Sequence, residues 1–204
     1  MNSNNLKIAP VLKQERKMKV LIACEESQVV CKAFRARGHE AFSCDIQPCS
    51  GGHPEWHIQD DVLNHLDEGW DLMIAHPECK YLCWSGERWM KNNPDRQMKR
   101  AEAFDFLRRL YYAEIAKIVI EQSLSYFLIR EWQEPDQMIH PFHFGDPFRK
   151  TTMLYLRGLK PLMPTNIIWR REPAVHNEWP SKNRSKIRAK TYPGIANAMA
   201  EQWG

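Results

Sequence analysis

Apolar positions along the chain fall into short continuous runs, separated by polar stretches in which hydrophobic residues return at helical spacing. The first run, residues 19–23, reads as a buried strand. After the turn Cys24-Glu25-Glu26-Ser27, Val30, Ala33, Phe34 and Arg37 recur as on one helix face, which predicts a helix over 28–37, capped by Ser27 and ended by Gly38. Residues 40–44 form a second strand with Asp45 at its tip, so residues 19–45 make one βαβ unit. Residues 46–57 read as loop, and Asp60-Asp61-Val62-Leu63 opens a short turn or helix. The run 70–75 is a third strand, closed by His76-Pro77, where proline cannot continue the ladder. Asn93-Pro94-Asp95 starts a long helix, with Phe104, Leu107, Tyr111, Ile115 and Ile118 on one stripe and an end near Lys117. Ile118-Val119-Ile120 is the next strand and runs into Glu121. Residues 126–138 fit helix or loop, 140–147 loop, and 153–156 a strand. Thr191-Tyr192-Pro193-Gly194 opens a closing amphipathic helix that must dock on the sheet.

Strands alternating with helices predict an α/β fold with a doubly wound, mostly parallel sheet in a single domain over 18–204, preceded by a flexible leader at 1–17. A chain of 204 residues has interior enough to stand without disulfides. Six cysteines with no apolar leader predict a reducing compartment, and no run approaches the roughly 20 apolar residues of a membrane span, so the expectation is a soluble, cytoplasmic protein. The net charge of +4 is unevenly spread: residues 149–190 hold 11 Lys and Arg against Glu172 and Glu178. That segment is either a polyanion-binding surface or a solvated face. On the first reading Lys150, Arg170, Arg171, Lys182, Arg184, Lys186 and Arg188 contact DNA.

The chemistry gathers at strand ends. Parallel strands joined by right-handed crossovers bring Asp45, Cys79 and Glu121 to one sheet edge. Asp45 sits where an acidic residue binds ribose hydroxyls, yet the turn at 24–27 holds no glycine to cradle a phosphate. An adenosine cofactor without phosphate, S-adenosylmethionine, fits that combination. Cys79, two residues past Pro77, is a nucleophile or a small buried hydrophobe. With Glu121 it suits thiolate attack on an electron-poor ring while a carboxyl group serves a ring nitrogen. Glu78 beside the thiol predicts a raised pKa by like-charge repulsion. A third reading pairs Cys44 with Cys49 and Cys79 with Cys83 around zinc, with His53, His57 and His76 nearby, at spacings wider than a zinc knuckle. Trp84, Trp89, Trp169 and Trp179 stack on bases or pack the rim, and Trp84 shares the Cys79 loop.

The order of these parts resembles the DNA cytosine-5 methyltransferases, and the small phage-type proteins related to them, over most of residues 18–204. Pro77-Glu78-Cys79 matches that family's Pro-Cys strand end, Glu121-Gln122 its Glu-Asn, Gly145-Asp146-Pro147-Phe148-Arg149 its Gly-x-Pro-x-Arg, and Pro193-Gly194-Ile195-Ala196-Asn197-Ala198 its closing helix. The resemblance implies a Rossmann-like methyltransferase fold and S-adenosylmethionine as cofactor. It also implies a cytosine turned out of DNA, with Cys79 adding to carbon 6, Glu121 engaging nitrogen 3 and Arg149 holding the base or thiolate. Cys24, Glu25, Asp45, Asp61, His76 and Pro77 would then line the cofactor site. The 34 residues of 157–190 leave no room for a full target-recognition domain, so selectivity would come from something small or from a protein partner. The alternative is a catalytically impaired protein of the same fold that binds cofactor, nucleotide or DNA and acts by interference, for example against restriction.

Overall fold

The computed structural model describes residues 16–170 and 190–204. Seven strands form one sheet: β1 (Lys19–Ala23), β2 (Glu40–Cys44), β3 (His57–Ile58), β4 (Leu72–Ala75), β5 (Lys117–Ser123), β6 (Gln137–Ile139) and β7 (Thr152–Arg157). Their order is β3-β2-β1-β4-β5-β7-β6. The first five run parallel, and β7 lies antiparallel to both β5 and β6. This is a doubly wound, Rossmann-like arrangement. The strand order turns between β1 and β4, which opens a crevice beyond their carboxyl ends.

Side-chain alternation builds a core on each face. Val20 and Ile22 of β1, Leu72 and Ile74 of β4, and Val119 of β5 point to one side, where α1 (Val29–Ala36) and the last helix, α4 (Pro193–Trp203), cover them with Val30, Phe34, Ile195, Met199 and Trp203. Leu21, Met73, Ile118 and Ile120 point to the other. There α2 (Pro94–Tyr111) contributes Leu107 and Leu110, and α3 (Tyr126–Glu131) contributes Leu128. The closing helix therefore docks on the sheet as its length demands.

Some local expectations change. The loop at 46–57 contains a 3-10 turn at Pro54–Trp56 and ends in β3, whose two residues are too few to show a period. The helix begun by Asn93, whose side chain accepts the Arg96 N–H at 3.1 Å, stops at Tyr111. Ile115 and Ile118 extend its stripe only by coincidence, since Ile115 N donates to Ala113 O in a turn and Ile118 belongs to β5. Residues 126–138 divide into α3 and β6. Ser27 does not cap α1: its hydroxyl reaches Glu25 at 3.5 Å, and Glu25 caps the helix instead by accepting from Val30 N (2.8 Å) and Cys31 N (3.2 Å). Gly194 is forced by packing. A Cβ there would overlap the Phe144 carbonyl oxygen, and its N–H donates to Asp146 Oδ2 at 2.9 Å, tying the 144–148 loop to the start of α4.

Candidate active site

The carboxyl ends of β1, β2 and β3 make one half of the site. Cys24 and Gln28 take left-handed backbone angles, with φ of 60° and 58°, so the glycine-free turn still adopts the sharp path that glycine ordinarily supplies. The Gln28 side chain holds the neighbouring loop by donating to His53 O at 2.8 Å and accepting from His53 N at 3.1 Å. Burial pushes the Cys24 thiol far up, and Asp45, Cys44 and Asp61 push the same way, so both carboxylates face it. Asp45 is half-buried and accepts Gln47 N–H at 2.8 Å; Asp61 is exposed and caps the short turn Val62–Asn64 through Leu63 N at 3.0 Å. Glu25 is buried, and burial raises its pKa against the opposing pull of His76 and the α1 N–H groups.

The other half forms where β4 and β5 end. His76 N donates to Ala23 O at 2.9 Å, fixing the chain as it leaves β4. The His76 ring then meets Glu121, with Nδ1 3.1 Å from Oε2. Burial is the largest single influence and opposes the charged form of both groups, but their hydrogen bond and mutual charge attraction, with Glu25 acting on His76, together outweigh it, holding His76 above the ordinary imidazole value and Glu121 below the ordinary carboxyl value. Lys150 and the Thr191 hydroxyl, which donates to Glu121 Oε2 at 3.2 Å, add to the pull on Glu121. Gln122, on the opposite face of β5, donates to Pro77 O at 2.8 Å and pins the loop that carries Cys79.

Cys79 is half-buried. Its thiol is hydrogen-bonded to Cys83, which together with burial raises its pKa, while Ser123 and Lys150 act in the opposite direction. Ser123 lies two residues beyond Glu121 and shares its face of β5, so Cys79 and Glu121 flank one surface. Cys83 is shifted down by the hydrogen bond from Cys79, with help from the Ser85 hydroxyl at 3.1 Å and the N–H groups of Gly86 and Ser85. Glu78 is exposed, and the largest influences raising the Cys79 thiol are Cys83 and burial rather than the adjacent carboxylate.

Arg149 is exposed, whereas Lys150 is half-buried and acts electrostatically on His76, Cys79 and Glu121. Arg170 is exposed; Arg171, Lys182, Arg184, Lys186 and Arg188, with Trp179, lie outside the described residues. Trp84 is 59% exposed and meets Tyr126 edge-on at 6.2 Å. Among the described residues no three His, Cys, Asp or Glu side chains gather as a metal set. Cys44 and Cys49 are used separately, toward Asp60 O and Gln28 Oε1. No helix of the described residues is long and apolar enough to cross a membrane.

A cavity of about 50 Å³ lies between the two halves, lined by Cys24, Glu25, Glu26, Ser27, His76, Lys190 and Thr191. Two of its lining residues carry a buried polar atom without a partner, His76 Nε2 and Glu26 Oε2. A larger basin of about 540 Å³ beside Lys32, Arg35 and Trp56 touches none of the groups at the β4 and β5 ends. Sequence reasoning gave Cys83 only a part in a zinc pair and missed Ser123 and Thr191. Period two marks Ser123 as sharing the Glu121 face, and a four-residue step from Cys79 marks Cys83; no local signal marks Thr191.

No protein-family model matches the chain. No curated protein matches it either. Among solved structures it is similar to a putative DNA modification methyltransferase encoded within an Escherichia coli prophage, at 13% identity and a TM-score of 0.49, over 74% of this chain and 52% of that one. It is similar to the Schizosaccharomyces pombe Dnmt2 methyltransferase at 16% identity and 0.47, over 72% and 51%. It is similar to the Entamoeba histolytica methyltransferase EhMeth at 17% identity and 0.49, over 78% and 58%. The aligned part of this chain thus corresponds to between half and three-fifths of each of these proteins.

Proposed function

We propose that this chain is an S-adenosylmethionine-dependent methyltransferase acting on carbon 5 of cytosine in DNA, with Cys79 as nucleophile. One observation carries the reading: a thiol and a carboxylate, at the ends of adjacent parallel strands β4 and β5, flank one surface, with Lys150 acting on both. Cytosine is an electron-poor ring that needs attack at carbon 6 and relief of charge at nitrogen 3, and these two groups match the two demands.

The polar atoms fit the cofactor's ends. Asp45 and Asp61 offer carboxylate oxygens to ribose hydroxyls and adenine. The unpartnered Glu26 Oε2 offers an acceptor to an ammonium group, and the left-handed turns at Cys24 and Gln28 shape the loop beneath. When bound, the cofactor supplies an electrophilic methyl group. The chain's own part is as follows. Cys79, its charge favoured by Lys150 and Ser123, forms a bond to carbon 6. The Glu121–His76 pair supplies a proton to nitrogen 3, leaving the electron pair at carbon 5 to take the methyl group. Loss of the carbon-5 proton to water then breaks the carbon–sulfur bond and frees Cys79 as thiolate, and the nitrogen-3 proton returns to the Glu121–His76 pair. DNA is the expected partner, with phosphates meeting Lys150, Arg170 and the basic residues between them and Lys190.

One observation favours the second reading, a protein that binds cofactor, nucleotide or DNA without transfer: Cys83 and burial hold Cys79 in its protonated form. Transfer of labelled methyl from S-adenosylmethionine to cytosine-containing DNA, measured with the unmutated protein and with Cys79→Ala, separates them. Transfer that falls at least 100-fold in the variant supports the enzyme. No transfer from either protein, with cofactor binding intact, supports the binder.

A further inference from the structure

Cys79 and Cys83 stand apart from the other four cysteines. Cys31 donates to Ala41 O, Cys44 to Asp60 O and Cys49 to Gln28 Oε1, while Cys24 is buried among carboxylates. Cys79 and Cys83 instead lie close enough in the turn for each thiol to bear on the charge of the other. The backbone between them turns once: Leu82 N and Cys83 N both donate to Cys79 O, at 3.0 and 2.8 Å. A four-residue step in such a turn sets the two Cβ atoms about 5–6 Å apart. A disulfide needs about 3.5–4.5 Å, a difference that a small tightening of this turn supplies, with Cys79 half-buried and Cys83 buried. The site also favours the charged sulfur that oxidation requires. Cys83 starts the 3-10 turn Trp84–Trp89, where the N–H groups of Ser85 and Gly86 and the Ser85 hydroxyl face its sulfur.

We propose that Cys79 and Cys83 are a redox pair that peroxide converts into an intramolecular disulfide. The Cys83 thiolate attacks one peroxide oxygen; the O–O bond breaks, hydroxide leaves, and Cys83 becomes a sulfenic acid. The Cys79 sulfur then attacks Cys83 sulfur, the S–O bond breaks, and water leaves with the Cys79 proton. Two thiols and one peroxide yield one disulfide and two waters, the two electrons passing from sulfur to oxygen. A dithiol such as dithiothreitol reverses the change by exchange. In a methyltransferase this oxidation removes the nucleophile, so the switching consequence rests on the proposed function while the disulfide itself does not.

The test treats the full chain with equimolar hydrogen peroxide, blocks remaining thiols by alkylation and maps the products by mass spectrometry. Trypsin cuts after Arg37, Lys80 and Arg88, so the bridge appears as residues 38–80 joined to 81–88, two mass units below the sum of the separate peptides, and fragmentation of the linked pair distinguishes Cys79 from Cys44 and Cys49 in the same segment. The expected product joins Cys79 to Cys83, disappears on reduction, and leaves the other four cysteines alkylated. Cys83→Ser is expected to consume peroxide at least tenfold more slowly, and Cys49→Ser at the unmutated rate. A bridge between other cysteines, oxidation spread over all six, or an unchanged rate in Cys83→Ser overturns the proposal. These readouts involve no methyl transfer, so an absence of transfer leaves them intact and their failure leaves the methyltransferase reading intact.

Discussion

His76 ends β4 with its ring buried, one nitrogen on Glu121 and the other without a partner. Its charge and that of Glu121 are matched, and the match has a pH signature. Glu121 ionises more readily in the fold than in the unfolded chain, so its share of stability is complete above the ordinary carboxyl value of 4.5 and is lost as acid protonates it. His76 holds its proton more firmly in the fold, so its share is complete below 6.5 and is lost as rising pH removes that proton. The pair therefore contributes most between those two values. Glu121→Gln keeps the shape and removes the charge. Urea unfolding across pH is expected to place it below the unmutated protein by about 1–3 kcal/mol inside the window, with the gap narrowing on both sides. A gap that stays level with pH would mean that the pair is not charged.

At the scale of elements, the β1–α1 connection shows what pattern reading sees and what it misses. Continuous apolar runs and a four-residue helical stripe locate β1, α1 and β2, because burial imposes those periods directly on the sequence. The cap escapes it. A serine immediately before a helix is the ordinary choice, yet Gln28 takes the left-handed turn there and Glu25, three residues further back, reaches over to the α1 amides. Glu25→Ala is accordingly expected to lower stability by about 1–2 kcal/mol, and Ser27→Ala by no more than about 0.5 kcal/mol. Thermal melts of the two variants, side by side, check the order. The same limit governs the site: Cys79 and Glu121 are legible because each closes an apolar run. Ser123 and Thr191 acquire their partners only when β4, β5 and the segment before α4 meet in space.

Across the whole molecule, the site is assembled from segments far apart in the chain, and Thr191 is tied to it by the start of α4. Gly194 keeps that start against the 144–148 loop, where no Cβ has room. Gly194→Ala forces the two apart and is expected to cost about 1–3 kcal/mol. Calorimetry should register this as a fall in melting temperature of several degrees. On the proposed function the variant also lowers S-adenosylmethionine affinity, because Thr191 lines the cavity beside His76.

Among the described strands β7 is the one that runs against its neighbours, and its first residue, Thr152, pairs with Ser123, the last of β5. Parallel strands offer the crevice only the residues that follow them. A reversed strand offers the residues that precede it, and so Lys150 arrives at the β5 end from the opposite chain direction. The sheet's single reversal is thus the supply line for the cation that faces Cys79, His76 and Glu121. A two-residue slip of β7 along β5 would carry that charge about 7 Å away, which makes the alignment of an edge hairpin a setting of the site's electrostatics as well as of the fold.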